Sequence, residues 1–201
     1  WSSDVCSSDL ATLPNSYNSV ENITPLETPL SSTINGAALA TPVFLSLYVE
    51  NDLRLDKYFA ETDEKGFRKN KKAGSNNYLC TFRVGEIYLT AAEAAARLGE
   101  LSQARTRLLE LMRKRYAPEA YEAKSVVVNA MDKEALVQEI LDERARELAF
   151  EGHRWFDLRR STRPRLEKVL DGTRYVLEEN DARYTLAIPK EAIEANPGLL
   201  N

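Results

Sequence analysis

Histidine and cysteine are scarce in this sequence. Among 201 residues there is one histidine, His153, and there are two cysteines, Cys6 and Cys80. A lone histidine excludes a His-rich metal centre, and a Ser–His–Asp triad built on it would rest on composition alone. Two cysteines exclude a disulfide framework and a Cys-rich metal site. No apolar run approaches the roughly 18 residues of a membrane-spanning helix. Charge of one sign is lacking too: 27 basic and 31 acidic residues give a formal charge of −4. The basic residues are interleaved with acids, which argues against a nucleic-acid partner. The short runs RKNKK (68–72) and RPR (163–165) read as solvated loop charge. There is no phosphate-cradling Gly-rich loop, no HExxH and no Ca²⁺ loop, so neither metal nor cofactor is expected.

The first ten residues, WSSDVCSSDL, carry Trp1 and Cys6. They hold no Lys or Arg and no apolar core, so they are neither a secretory signal nor a lipobox. Read back into codons they fit TGG AGT TCA GAC GTG TGC TCT TCC GAT CT, the 3′ half of a common sequencing-library adapter in frame. Residues 1–10 are therefore expected to be a non-native, adapter-derived segment. Setting Asp4 and Asp9 aside brings the formal charge to −2. Residues 11–201 are expected to be the C-terminal part of something longer, with enough chain for one sizeable core.

Pro14, Pro25, Pro29 and Pro42 among Ser, Thr and Asn make residues 11–42 read as extended, irregular chain. One or two helical turns are expected over 43–60, broken at Glu50-Asn51-Asp52, and a charged loop over 64–77. Strong periodicity begins at residue 83. Val84, Ile87, Tyr88, Ala91, Ala92, Ala95 and Leu98 recur at helical spacing, and Gly99 follows as a stop. A second helix over 102–116, capped by Ser102, buries Ala104, Leu108, Leu111 and Met112. The two form an αα-hairpin of tetratricopeptide type, and such a hairpin needs neighbours to cover its second face. SVVVNA (125–130) reads as a strand or a packed turn. Asp132 caps a third helix over 133–151, whose core face is Leu136, Val137, Ile140, Leu141, Ala145 and Leu148 and which Gly152 ends. HRWFDLRR reads as a further helical turn. Alternation in the tail predicts a small hairpin of strands 175–178 and 184–188, turning at Asn180-Asp181, and then a turn or short helix. The fold class is thus mainly α, with irregular loops and a small C-terminal β-hairpin.

The stretch ERARELAFEGHRWFDLRR (143–160) holds most of the candidate chemistry. Glu143, Glu147 and Glu151 lie four apart, on one helix face. Arg144, Arg146, Arg154, Arg159 and Arg160 are near them in sequence. The favoured reading is an ion-pair network locking helix to helix. The alternative is a glycosidase-like carboxylate pair drawn from Glu147, Glu151 and Asp157, one of them with a raised pKa. His153 reads as a satisfied or surface histidine. Trp155 and Phe156 stand at core spacing, so packing is favoured over sugar stacking. Tyr116, Tyr121, Tyr175 and Tyr184 fall in connections or strands and are the better candidates for a ligand face.

Four blocks carry a resemblance. RVGEIYLTAAEAAARLGEL resembles the R-x-x-E-[IV]-Y-L-x-x-A-E-A signature of the SusD/RagB family. ERARELAFEGHRWFDLRR is similar to its ER-x-x-EL-x-FEG-x-RWFDLRR block. NDLRLDKYF resembles its D-x-R-x-x-x-[TY]F segment, and AIPKEAIEANPGLLN its closing block. Val84-Gly85 departs from the usual apolar-Ala, and Leu200-Asn201 lacks the usual Gln. The structural signature then falls on Arg83, Glu86, Tyr88, Glu93, Arg144, Glu147, Glu151, Gly152, Arg154, Trp155, Asp157 and Arg159. The resemblance implies a tetratricopeptide-like scaffold with loop-rich ligand faces. It implies a surface lipoprotein of the Gram-negative outer membrane, without enzymatic activity, which binds glycans or peptides. Its partner would be a SusC-like TonB-dependent transporter, to which it delivers oligosaccharide. The lipid anchor would be the membrane contact and would lie upstream of residue 11. A protein-binding helical-repeat adaptor is the alternative, and a glycoside hydrolase the third reading.

Overall fold

The computed structural model describes residues 22–26, 39–72, 80–170, 172–196 and 198. The adapter-like segment 1–10 and most of the proline-bearing stretch lie outside them. The chain forms two compact units, residues 1–154 and 155–201.

In the first unit, β1 (Asn22–Leu26) pairs antiparallel with β5 (Cys80–Arg83), and β2 (Leu39–Ala40), β4 (Arg68–Asn70) and β3 (Phe59–Thr62) form a small sheet in the order β2-β4-β3. The charged stretch expected to be loop thus contains β4. Asp63 turns the chain into it, its Oδ1 accepting from the backbone N–H of Lys65 and of Phe67. Two short helices flank the polar break as expected, α1 (Pro42–Leu45) and α2 (Arg54–Tyr58). Phe44, Tyr48, Phe59 and Phe150 meet edge to face with ring centres 5.5–6.4 Å apart, the arrangement that ring quadrupoles favour. Phe150 adopts φ 63, and this aromatic cluster holds it in the left-handed region.

The helical part follows. α3 (Val84–Leu98) and α4 (Leu101–Met112) pack as an antiparallel hairpin, with Gly99 at φ 86 closing α3 through bonds to Ala95 O and Ala96 O. Ser102 lies inside α4 rather than capping it, since the helix starts one residue earlier, after Glu100. The buried face of α3 is Leu89, Ala92, Glu93, Ala95 and Ala96. Ile87 and Leu98, expected inside, are exposed. Apolar residues lie on both sides of this alanine-rich helix, and Ala92, Ala95 and Ala96 are buried in one core cluster with Ala104 and Leu108 of α4. SVVVNA is helical, part of α5 (Pro118–Ala130). Pro118 starts that helix at a position needing no N–H. Burial of Val128 outweighs the strand preference of the run, while Val126 and Val127 stay exposed.

α6 (Lys133–Glu147) begins where Asp132 accepts the N–H of Ala135. Leu136, Ile140, Leu141, Ala145 and Leu148 are buried and Val137 packs beside them, as the spacing predicts. The helix ends at Glu147, four residues early, so Glu151 follows it in a turn.

The second unit takes most of α7 (His153–Arg160), then a hairpin of β6 (Leu166–Leu170) and β7 (Thr173–Leu177), a 3-10 turn at Ala182–Tyr184, and α8 (Lys190–Ala195). The hairpin exists, but with other strands than expected. Only β7 overlaps the expected pair, and 184–188 forms no strand. Gly172, just before β7, has φ 76. Asp-Gly is the two-residue hairpin signal that outweighs the alternation further on. Trp155 stacks on Tyr184, ring centres 5.2 Å apart and planes 15° apart. Tyr184 is buried, with its hydroxyl donating to Pro164 O, whereas Trp155 is half-buried and Phe156 is exposed. A core role for Phe156 is therefore corrected. Trp155→Ala should cost about 2 kcal/mol in urea unfolding rather than the roughly 3–5 of a fully buried tryptophan.

Candidate functional site

Most of the candidate carboxylates converge inside the first unit, where they meet cations brought from distant parts of the chain. Residues 51–53 and 115–117 lie side by side, Leu53 N–H donating to Arg115 O and Ala117 N–H to Asn51 O. This aligns Asp52 and Arg54 with Arg115 and Tyr116. Arg54 forks onto Asp52 (Nε–Oδ1 2.9 Å, Nη2–Oδ2 2.8 Å). Its Nη1 reaches Glu143 Oε1 at 2.7 Å and Glu147 Oε2 at 3.0 Å. Glu147 also accepts from Arg115 (2.9 and 3.0 Å) and from Arg83 Nη1 (2.5 Å). Arg83 forks onto Glu151 as well (3.1 and 2.9 Å). Lys72 Nζ contacts Glu151 and donates to the carbonyls of Glu147 (2.5 Å) and Ala149 (3.3 Å). Glu143 Oε2 accepts from Arg146 and from the Tyr116 hydroxyl.

These side chains are buried, Arg54, Arg83, Arg115, Glu143 and Glu147 completely. Gly85 makes room for them, because a Cβ there would lie 2.9 Å from Arg83 Nη1 and 3.0 Å from Glu147 Oε1. That close approach accounts for glycine where the resemblance leads one to expect alanine.

Burial alone would raise the carboxyl pKa values, but the cations outweigh it. Against burial, Arg54 and Arg146 bring Glu143 down to about 2. Arg115, Arg83 and Arg54 hold Glu147 well below the usual carboxylate range. Arg83 and Lys72 lower Glu151. Lys72 goes the other way: burial pushes it down to about 8 despite its contact with Glu151. Both partners of that pair are still charged at neutral pH. A glycosidase acid needs a carboxyl that keeps its proton near neutral pH. Glu143, Glu147 and Glu151 do the opposite, which favours the ion-pair reading of this stretch.

The network differs from expectation in its cations. Arg146 belongs to it. Arg144 instead bonds Thr90 Oγ1 at 3.2 Å, Arg154 is exposed, Arg159 is half-exposed, and Arg160 pairs with Asp157. Arg54, Lys72, Arg83 and Arg115 supply most of the positive charge. Lys72 belongs to the RKNKK run, so its reading as solvated charge is corrected. For Arg54 a signal was present in Asp52-Leu53-Arg54, the D-x-R of the resembling segment. His153 Nδ1 lies 3.8 Å from Glu86 Oε1, partly exposed. Glu93 is buried and bonded by Arg97 at 2.9 Å. Gly152, at φ 85, turns the chain after Glu151.

The tyrosine candidates divide. Tyr116 is 2 % exposed and Tyr184 0 % exposed. Neither ring can meet a ligand, because each packs in a core, and both are corrected. Tyr121 is half-buried against the helical core. Tyr175 is 56 % exposed. Tyr88 lines an apolar groove of about 260 Å³ with Val84, Ile87, Ala91 and Arg107. Among the described residues no group of His, Cys, Asp and Glu could hold a metal ion, and no helix is long and apolar enough to cross a membrane.

A mainly helical scaffold, built on a close αα-hairpin and locked by a buried charge network, is the class that this geometry defines. The SusD family matches residues 45–201, and the chain belongs to that family. A comparison with curated proteins gives no match. Among solved structures, a SusD-like carbohydrate binding protein from Bacteroides vulgatus ATCC 8482 is similar at 19 % identity and a TM-score of 0.52. The likeness covers 78 % of this chain and 40 % of that one, so the chain spans less than half the length of the structure it matches.

Proposed function

We propose that this chain is part of a cell-surface glycan-binding protein that captures oligosaccharide without cleaving it. In this reading it is a lipoprotein of the outer membrane and passes its ligand to a SusC-like TonB-dependent transporter. The observation that carries the reading is family membership across residues 45–201. The carbohydrate binding named for the similar structure supports it, as does the ionised, Arg-neutralised state of Glu147 and Glu151.

The contacts themselves would be made by exposed aromatic rings, which stack on the apolar face of a sugar while loops bond its hydroxyls. Among the described residues of the second unit, Tyr175 and Phe156 have the required exposure. The test is calorimetry of the intact protein against a panel of oligosaccharides, with product analysis of the same mixtures. Saturable binding with unchanged glycan is expected. Cleavage lost in folded Glu147→Gln and Glu151→Gln variants would establish the hydrolase instead. Failure to bind any glycan, together with capture of a defined protein partner, would favour the adaptor.

A further inference from the structure

The hairpin of the second unit segregates its charges. In its register Leu166 faces Leu177 and Lys168 faces Tyr175, while Glu167 faces Val176 and Val169 faces Arg174. Side chains alternate between faces, so the first two pairs share one face and the last two share the other. On the second face Glu167 takes both Arg165 (3.0 Å) and Arg174 (2.6 Å), and those charges are compensated. Among the described strand residues of the first face, Lys168 is the only charged one. No carboxylate pairs with it among the described residues. Its cross-strand neighbour Tyr175 is 56 % exposed.

An exposed aromatic ring therefore stands cross-strand from a lysine that pairs with no carboxylate among the described residues. Directly opposed residues of an antiparallel pair have Cβ atoms about 5 Å apart. A uronic acid has a matching shape: a face of C–H bonds that stacks on a ring, and a carboxylate carried on the same sugar one bond away. A neutral sugar would use only the ring.

We propose that Tyr175 and Lys168 form a subsite for a uronic-acid residue of an acidic glycan, Tyr175 stacking on the sugar and Lys168 pairing with its carboxylate. The proposal rests on the glycan-binding reading and adds the class of sugar. Because the pair is exposed, its attraction is screened by salt. Neither residue belongs to the buried network, so substitution leaves the fold intact.

The experiment titrates the intact protein with oligogalacturonate and with its fully methyl-esterified form, at low and high salt. Thermal melting is checked for each variant. The acid form should bind at least tenfold more tightly than the ester at low salt, with the gap closing as salt rises. Lys168→Gln should abolish that preference while keeping the weaker binding common to both forms. Tyr175→Ala should weaken both forms, and Arg174→Gln, on the other face, neither. Equal affinity for acid and ester overturns the proposal, as does a preference that survives Lys168→Gln or no binding of either form. If neutral oligosaccharides of the wider panel still bind, glycan capture stands and only the uronate subsite is lost. If nothing in the panel binds, glycan capture itself falls.

Discussion

Glu147→Gln lowers stability by about 3–5 kcal/mol, the cost of breaking a buried ion pair by removing one partner. One carboxylate accepts from Arg54, Arg83 and Arg115 at 2.5–3.0 Å, with no solvent exposure. The amide keeps the volume but removes the charge and points two N–H donors at guanidinium groups that also only donate. Arg54 retains Asp52 and Glu143, and Arg83 retains Glu151. Since whole domains are stable by only about 5–15 kcal/mol, this one atom change should bring the protein close to unfolding. Urea denaturation measures it. A loss under about 1 kcal/mol would mean that water reaches the network. Pairing Glu147→Gln with Arg115→Met in a double-mutant cycle should recover part of the loss, because one of the cations that faced the carboxylate then leaves with it.

The second large effect is in the pH profile. The carboxyls Glu143, Glu147 and Glu151 have folded pKa values below their ordinary 4.5, that of Glu143 about 2. An unfolded chain binds protons there that the folded chain refuses, so stability falls as pH drops from about 4.5 through about 2. Glu143 alone accounts for roughly 3 kcal/mol of that loss, at 1.36 kcal/mol per pKa unit. Lys72 has the opposite sense. Its folded pKa of about 8 lies below the ordinary 10.5. Between those values the unfolded chain keeps a proton that Lys72 has shed, so this residue makes stability rise with pH. Above about 10 the buried hydroxyls of Tyr48, Tyr58 and Tyr116, raised first of all by burial, keep protons that unfolded tyrosines lose, and stability falls again. Chemical denaturation across pH 2–11 should show acid collapse and an optimum between about 8 and 10. In Lys72→Met the rise above pH 8 should vanish. A profile flat from pH 2 to 5 would contradict the burial of the carboxylates.

The αα-hairpin was legible because its signals agree: apolar residues at helical spacing, then a glycine that closes the helix. Which face of α3 turns inward was legible only in part: Val84, Ala92 and Ala95 are buried as the spacing predicts, but Leu89 and Ala96 are buried where Ile87 and Leu98 were expected. The packing of α4 and α6 decides between them. The acids of the charge network were visible as Glu143, Glu147 and Glu151, four apart. Their cations were not, because nearness in sequence favoured Arg154, Arg159 and Arg160 over Arg54, Lys72 and Arg115. Hydropathy reasoning places any lysine or arginine in solvent, and it does not mark the one whose charge is met by a carboxylate 79 or 93 residues away. The tail hairpin was legible in kind, and the sequence signal Asp171-Gly172 would have placed it. Exposure separated Tyr175 from Tyr116 and Tyr184, and exposure depends on the whole fold.

The three arginines on Glu147 also bear on how the molecule assembles in time. Arg54 precedes it by 93 residues, Arg83 by 64 and Arg115 by 32. Contacts that span so much chain are slow to form, because loop closure must come first. Helices α3 to α6 can form and collapse on their local apolar contacts, but the charges can be enclosed only when all three segments have arrived. An arrangement made last on the way in is broken first on the way out, and pulling these ions apart before water reaches them is slow. A long native lifetime, set by the unfolding barrier as much as by equilibrium stability, is what this network gives the protein.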